Sequence, residues 1–310
     1  MLNSSQEPHR ETQAGNAVAR TTLDTLTPDR FYRDFRARSR PVVITGALAG
    51  APDWNLDYLC ARLGEAPYQA RHYGRDHFKQ AKRQWRAYSQ GMAITAAAYG
   101  ELLRDRRAHT ENIYLAQVDI GGTPAAASIR PLVDELASRC GMERYPPSDL
   151  NIWLGPAGHT EPLHFDGGDG TLMQLHGAKK VVLFPPAQTE NLYPFPFGKG
   201  TIPPWFSQVD TDRPDFDAFP NYRTALTERR AVILEQGEIL YIPASWWHEV
   251  TALGDDYVCS VNRFWNVKPV TRNFCTRRSG ILYLVNRLPW PLILRLDRWI
   301  RAFSRRGRSA

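Results

Sequence analysis

NIWLGPAGHTEPLHFDGGDGTLMQLHGAKKVVLFPP, residues 151–186, decides how the rest of the chain is read. At its centre stands His164-Phe165-Asp166. Alternate side chains of an extended strand share a face, so His164 and Asp166 point one way and Phe165 the other. An imidazole beside a carboxylate supplies two of the three ligands of the facial triad that holds non-haem Fe(II). The third must come from elsewhere, and His248 in GEILYIPASWWHEV is the well-placed histidine. A lone histidine on a strand is more often a satisfied core residue than a ligand. Three groups together on barrel strands favour a metal, because a buried Asp166 without a partner would lose its solvation at high cost. Three protein ligands leave open positions for a substrate and O2, as a catalytic site requires. His159 and His176 are set aside as a turn residue and a strand-end residue.

From Asn151 onward the pattern is β, with strands expected at 150–154, 162–166, 171–176, 179–184, 231–235, 238–242, 247–252 and 257–265. Eight short strands separated by Gly, Pro and Asp turns define a mainly β fold with flanking helices. Its core is a double-stranded β-helix (jelly roll, or cupin barrel) at about 110–268. The proline-rich insert at 185–230 is too long for a plain connection and is expected to cover a site. The glycines at 167, 168 and 170 are expected to let the backbone turn tightly beside the metal. Lys179 opens an apolar strand and can reach inward to hold a carboxylate as a compact charge. Tyr114, on IYLAQ, can donate a phenolic hydrogen bond to the same group. Against this stands the plainer reading of Lys179 or Lys180 as a lysine snorkelling at a strand end.

Residues 1–26 are polar and aperiodic and read as a flexible leader. Thr27 then caps a helix with Pro28 at its first position, directing Phe31 and Phe35 inward. Residues 41–45 form a short strand closed by Gly46, and 55–63 a helix ended by Gly64. Further helices are expected at 94–103 and 134–139, with a strand at 112–117 between them. The helical N-terminal segment and barrel together make one catalytic domain, 27–268, followed by a helical, basic C-terminal tail, 269–310. Between Tyr68 and Ser89 cations alternate with aromatics, a pattern that also suits nucleic acid. We prefer a strand pair with one solvated face, with His72 and His77 as ordinary surface or core residues.

The chain has 310 residues, 39 Lys and Arg against 32 Asp and Glu, and a net charge of +7. Much of that excess follows Arg295, where Arg298, Arg301, Arg305, Arg306 and Arg308 face one acid, Asp297. The tail reads as a solvated end or as a surface for an anionic partner. Leu292, Leu296, Trp299, Ile300 and Phe303 share a helical face, which offers a homodimer interface or a dock on the barrel ahead of membrane binding. Four well-separated cysteines without a CxxC spacing indicate neither a disulfide framework nor a zinc finger, and fit the cytoplasm. No transmembrane segment is expected.

Taken in order, PLHFD, GAKKVVLFPP, NLYPFP, SQVD, FPNY, GEILYIPASWWHEV and SVNRFW resemble the JmjC/cupin-like hydroxylases, and most closely the asparaginyl hydroxylases among them. RPVVITGAL and LDYLCARLG extend the resemblance to residues 27–268. It implies a dioxygenase that uses Fe(II), 2-oxoglutarate and O2 to hydroxylate an aliphatic C–H of a protein or peptide side chain. The same chemistry on a small metabolite or RNA base, and a non-catalytic binding module, are the alternatives. His164, Asp166 and His248 match that family's iron ligands. Lys179 and Tyr114 match the residues that hold the distal carboxylate of 2-oxoglutarate, and Asn262 matches an asparagine near its metal-binding end. Four positions depart from the pattern. Glu161 replaces a threonine, and an acid there repels a bound carboxylate unless it turns away or the pocket differs. Gly170 replaces an asparagine, and Trp205-Phe206 replaces the Arg–Gln pair that grips a peptide.

Overall fold

The computed structural model describes residues 16–196, 202–267, 277–286 and 292. Among the described residues thirteen strands form two sheets: β1 (Ala19–Thr22), β2 (Val42–Thr45), β3 (Pro67–His72), β4 (Gln90–Thr95), β5 (Ile113–Asp119), β6 (Asn151–Pro156), β7 (Thr160–Phe165), β8 (Asp169–His176), β9 (Ala178–Phe184), β10 (Arg230–Leu234), β11 (Ile239–Ile242), β12 (Trp247–Leu253) and β13 (Tyr257–Trp265). The larger sheet runs β1-β2-β11-β8-β13-β6-β5-β3-β4 and the smaller β10-β9-β12-β7. The eight strands expected from the alternation are therefore β6 to β13, four in each sheet, and they make the jelly-roll core.

Period-two patterning sorts the side chains of the smaller sheet. Leu163, Phe165, Val182, Phe184 and Trp247 point outward into a cluster with Leu192, Val209, Phe219 and Tyr222 of the 185–230 insert. The insert thus covers the outer face of this sheet as well as reaching the site. Leu282, on the helix Arg277–Asn286, is buried in the same cluster, so this C-terminal helix docks on the barrel. The apolar face at 296–303 lies outside the described residues. Val43, Leu172, Val181, Leu183, Leu234, Leu240 and Trp246 fill one end of the barrel interior. The other end is left open as a cavity.

The outer face of the larger sheet carries the main core, against helices at Leu56–Leu63, Ala96–Arg104 and Pro124–Arg139. The first two are capped by Asn55 and Thr95, which accept the Tyr58 and Ala98 amides. The third is longer than the expected 134–139 because Thr123 caps it and Pro124 fits its first turn. Thr27 caps Pro28–Phe31 as expected, and Phe31 and Phe35 are buried.

The reading of 1–26 as a flexible leader does not hold for its last residues. Ala19–Thr22 pairs in parallel with Val42–Thr45, and Leu23 and Leu26 are buried. Four residues are too few to show a periodicity; the edge of β2 supplies the template.

Candidate metal and cosubstrate site

His164 and His248 lie opposite each other in the antiparallel β7–β12 pair. Their rings are 4.4 Å apart. His164 donates from Nδ1 to the Pro162 carbonyl at 2.7 Å, and His248 from Nδ1 to the Trp246 carbonyl at 3.0 Å. Both Nε2 atoms are thereby left as acceptors for a cation. Asp166 follows β7 and brings Oδ2 within 3.4 Å of His248 Nε2. One ligand atom from each of the three lies within 4.8 Å of the others, the only such group among the described residues.

Burial and the neighbouring His248 push the His164 imidazole down to about 4, so it stays neutral. Burial works against a charged Asp166, but the contact with His248 outweighs it and holds the carboxyl below its usual range. The same contact outweighs burial for His248 and raises it. Two neutralisable imidazoles and a carboxylate, with the remaining side open to a cavity, fit an Fe(II) centre of the facial-triad kind.

The turn between β11 and β12 is fixed by Asp169. This fully buried carboxylate accepts from Tyr241 Oη at 2.6 Å and from the Ala244 amide at 3.0 Å. Ser245, at φ 67°, donates its amide to the Asp166 carbonyl at 2.8 Å, tying the turn before His248 to the loop that carries Asp166. The glycines following Asp166 serve a purpose other than the expected turning. None adopts positive φ. Instead a Cβ on Gly170 would meet Phe264 Cε1 at 2.8 Å, so the residue is small because an aromatic ring packs on it.

A cavity of about 320 Å³ extends from the triad into the barrel. Lys179 sits at its inner end with 2 % exposure, and donates to Ser260 Oγ at 2.5 Å. Burial lowers its ammonium to about 8. It is therefore an inward-facing buried cation and not a snorkelling residue. Tyr114 lines the same cavity, and burial holds its phenol well above the ordinary value, hence as a donor. Asn262 lines it too, and its Oδ1 has no hydrogen-bond partner among the described residues.

Three residues passed over in the sequence, His159, Trp153 and Gln117, belong to this space, and so does the Glu161 singled out there. His159, set aside as a turn residue, is buried, lines the cavity, and stacks on Tyr114 at 3.8 Å. Glu161 does not turn away: it lines the cavity and pairs with Arg71 at 3.2 Å. Trp153 lines the wall with a buried Nε1 that has no hydrogen-bond partner among the described residues. Gln117 lies at the rim, held at φ 55° by a bulge in β5. The one signal for Arg71 was indirect, since a buried acid requires a cation. His176 stacks on Tyr257 away from the triad, as expected of a bystander. The mouth is walled by Trp205 and Phe206, the latter stacked on His164 at 5.1 Å. Of the Tyr68–Ser89 cations, Arg71 and Lys82 face inward to acids; the stretch itself holds only β3, whose partner β4 follows it at Gln90–Thr95, and residues 77–88 form short helical turns in place of the expected second strand.

A double-stranded β-helix with this triad defines the class, and a family model described as cupin-like domain matches residues 28–271. The chain belongs to this cupin-like, JmjC-type family, whose enzymes use Fe(II) and 2-oxoglutarate. Among its relatives, lysine-specific demethylase JMJ30 of Arabidopsis thaliana is 34% identical over 238 residues, 74% of this chain and 51% of that protein. The tRNA wybutosine-synthesizing protein 5 of Gallus gallus is 29% identical over 262 residues, 82% of this chain and 79% of that protein. Lysine-specific demethylase 8 of Xenopus tropicalis is 39% identical over 117 residues, 38% and 25% of the two chains. The chain spans about half the length of the plant demethylase it matches. Among the described residues no helix is long and apolar enough to cross a membrane.

Proposed function

We propose that this protein is an Fe(II)- and 2-oxoglutarate-dependent dioxygenase that hydroxylates an aliphatic C–H of a protein or peptide side chain. The observation that carries the reading is the convergence of His164, Asp166 and His248, with both Nε2 atoms directed by Nδ1–carbonyl bonds. When bound, iron and cosubstrate supply the oxidising power: 2-oxoglutarate and O2 become succinate and CO2, and the substrate C–H becomes C–OH. The chain's own residues bind, orient and exclude water. Lys179 and Tyr114 hold the distal carboxylate, and Asn262 donates from its side-chain NH2 near the metal-binding end, which offers only acceptors. The filled barrel end and the Trp205–Phe206 wall keep the cavity dry.

A second reading keeps the chemistry and changes the substrate to an RNA base. Two observations favour it: aromatic side chains, suited to stacking on a base, stand where asparaginyl hydroxylases have a polar grip on a peptide. The relative named for wybutosine synthesis is also matched over 79% of its length. Uncoupled succinate formation by the Fe(II)-loaded protein with ascorbate is the test, followed by its stimulation with peptide and RNA pools. No 2-oxoglutarate binding and no succinate under any of these conditions would overturn the enzymatic reading in favour of a binding module.

A further inference from the structure

We infer that the Arg71–Glu161 pair is a built-in charge corrector of the cosubstrate subsite: Glu161 forms part of its wall, and Arg71 is the positioning residue that makes this wall compatible with a carboxylate. The inference rests on the reading just given. Glu161 is 5% exposed and shares the cavity wall with Lys179, Tyr114 and His159. Arg71 Nη1 reaches both of its oxygens, at 3.2 and 3.4 Å, from behind that wall. It can do so because Arg71 on β3 is registered directly against Tyr114 on β5.

The charges at this inner end decide the matter. Lys179 alone against Glu161 sums to zero, with an anionic oxygen facing the incoming carboxylate. Adding Arg71 leaves one net positive charge, which matches one carboxylate. In a buried site the difference is large, because like charges a few ångströms apart are poorly screened. His159 adds no charge that would substitute for Arg71. Its Nδ1 bonds Asn112 Oδ1 at 2.9 Å, Asn112 Nδ2 bonds His77 Nε2 at 2.9 Å, and His77 Nδ1 bonds the Gly74 carbonyl at 2.9 Å. Burial lowers the His159 imidazole and keeps it neutral, and since the Asn112 amide nitrogen can only donate, the chain places its proton on Nδ1 and leaves Nε2, 4.0 Å from Glu161, without one.

The test is calorimetry on the full chain loaded with Mn(II), which removes turnover from the readout. The ligands are 2-oxoglutarate and 2-oxopentanoate, equal in length but differing in the distal carboxylate. Arg71→Leu is expected to weaken 2-oxoglutarate at least about tenfold while leaving 2-oxopentanoate and Mn(II) binding within about twofold. Arg71→Leu combined with Glu161→Thr is expected to recover most of that loss. Equal weakening of both ligands, which a merely structural role would give, overturns the inference, and so does an unchanged affinity for 2-oxoglutarate. Should Arg71→Leu fail to fold, Glu161→Thr is compared with the double variant: tighter 2-oxoglutarate binding by Glu161→Thr supports the inference, and equal binding overturns it. Wild-type protein that takes Mn(II) but no 2-oxoglutarate would instead sink the underlying reading of the site.

Discussion

His164 and His248 are cross-strand neighbours, and each donates its Nδ1 proton to the carbonyl two residues before it on its own chain segment. The strand pairing sets the distance between the rings, and the two carbonyls set their tautomers. Replacing either histidine by alanine is expected to reduce Mn(II) or Co(II) affinity by at least about a hundredfold, with the circular dichroism spectrum unchanged. Retained metal affinity in either variant would show that the triad is not the binding site.

Lys179 predicts how cosubstrate binding depends on pH. Its ammonium is lowered to about 8, so above that pH the free protein loses the charge that a carboxylate needs. Affinity for 2-oxoglutarate is expected to be flat below pH 8 and to fall by up to tenfold per unit above it. Lys179→Met should bind weakly at every pH and lose this slope. Titration calorimetry of the Mn(II)-loaded protein between pH 6.5 and 9.5 reads both.

Gly155 leaves room for the Tyr114 ring. A Cβ there would stand 2.0 Å from Tyr114 Cδ2, far inside contact distance, and the ring is wedged against His159. Gly155→Ala is expected to cost about 1–3 kcal/mol in urea unfolding. It should also weaken 2-oxoglutarate binding, because Tyr114 must leave its position. A variant with wild-type stability and affinity would mean that the ring can yield freely.

Lys82 is a buried cation that packs against β12, the strand that carries His248. Its Nζ meets Glu249 at 3.1 Å and Asp212 at 2.6 Å, joining the segment before β4 to β12 and to the insert. Burial raises the Glu249 carboxyl, so that acid relies on Lys82 for its charge. Lys82→Met is expected to destabilise the fold by about 3 kcal/mol, with faster amide exchange across 73–89 and 209–213. Glu249→Gln combined with it should restore part of the loss. If the single variant melts like the wild type, the cluster contributes nothing to stability.

Much of this architecture was legible in the chain itself. The short apolar runs of β6 to β13 are legible although several are buried on both faces, and the polar side chains held within them have to turn to a site. That is why the HxD motif of residues 164–166, and His248 flanked by Trp247, could be read as inward-facing without coordinates. The cap at Thr27 was equally readable, since its partner lies within three residues. The tail beyond Leu292 carries the expectation of a homodimer and of an anionic partner, and it lies outside the described residues.

What the amino-acid order settled was local: alternation, capping, and which polar side chains would be forced into a barrel. Only the tertiary structure could say that Arg71 answers Glu161 across 90 positions, that His159 belongs to the cavity, and that Gly170 makes room for Phe264. Those relations depend on which strands become neighbours in space. Local pattern specifies the face a residue turns to the core, whereas the charge or ring it meets there is brought by another part of the chain.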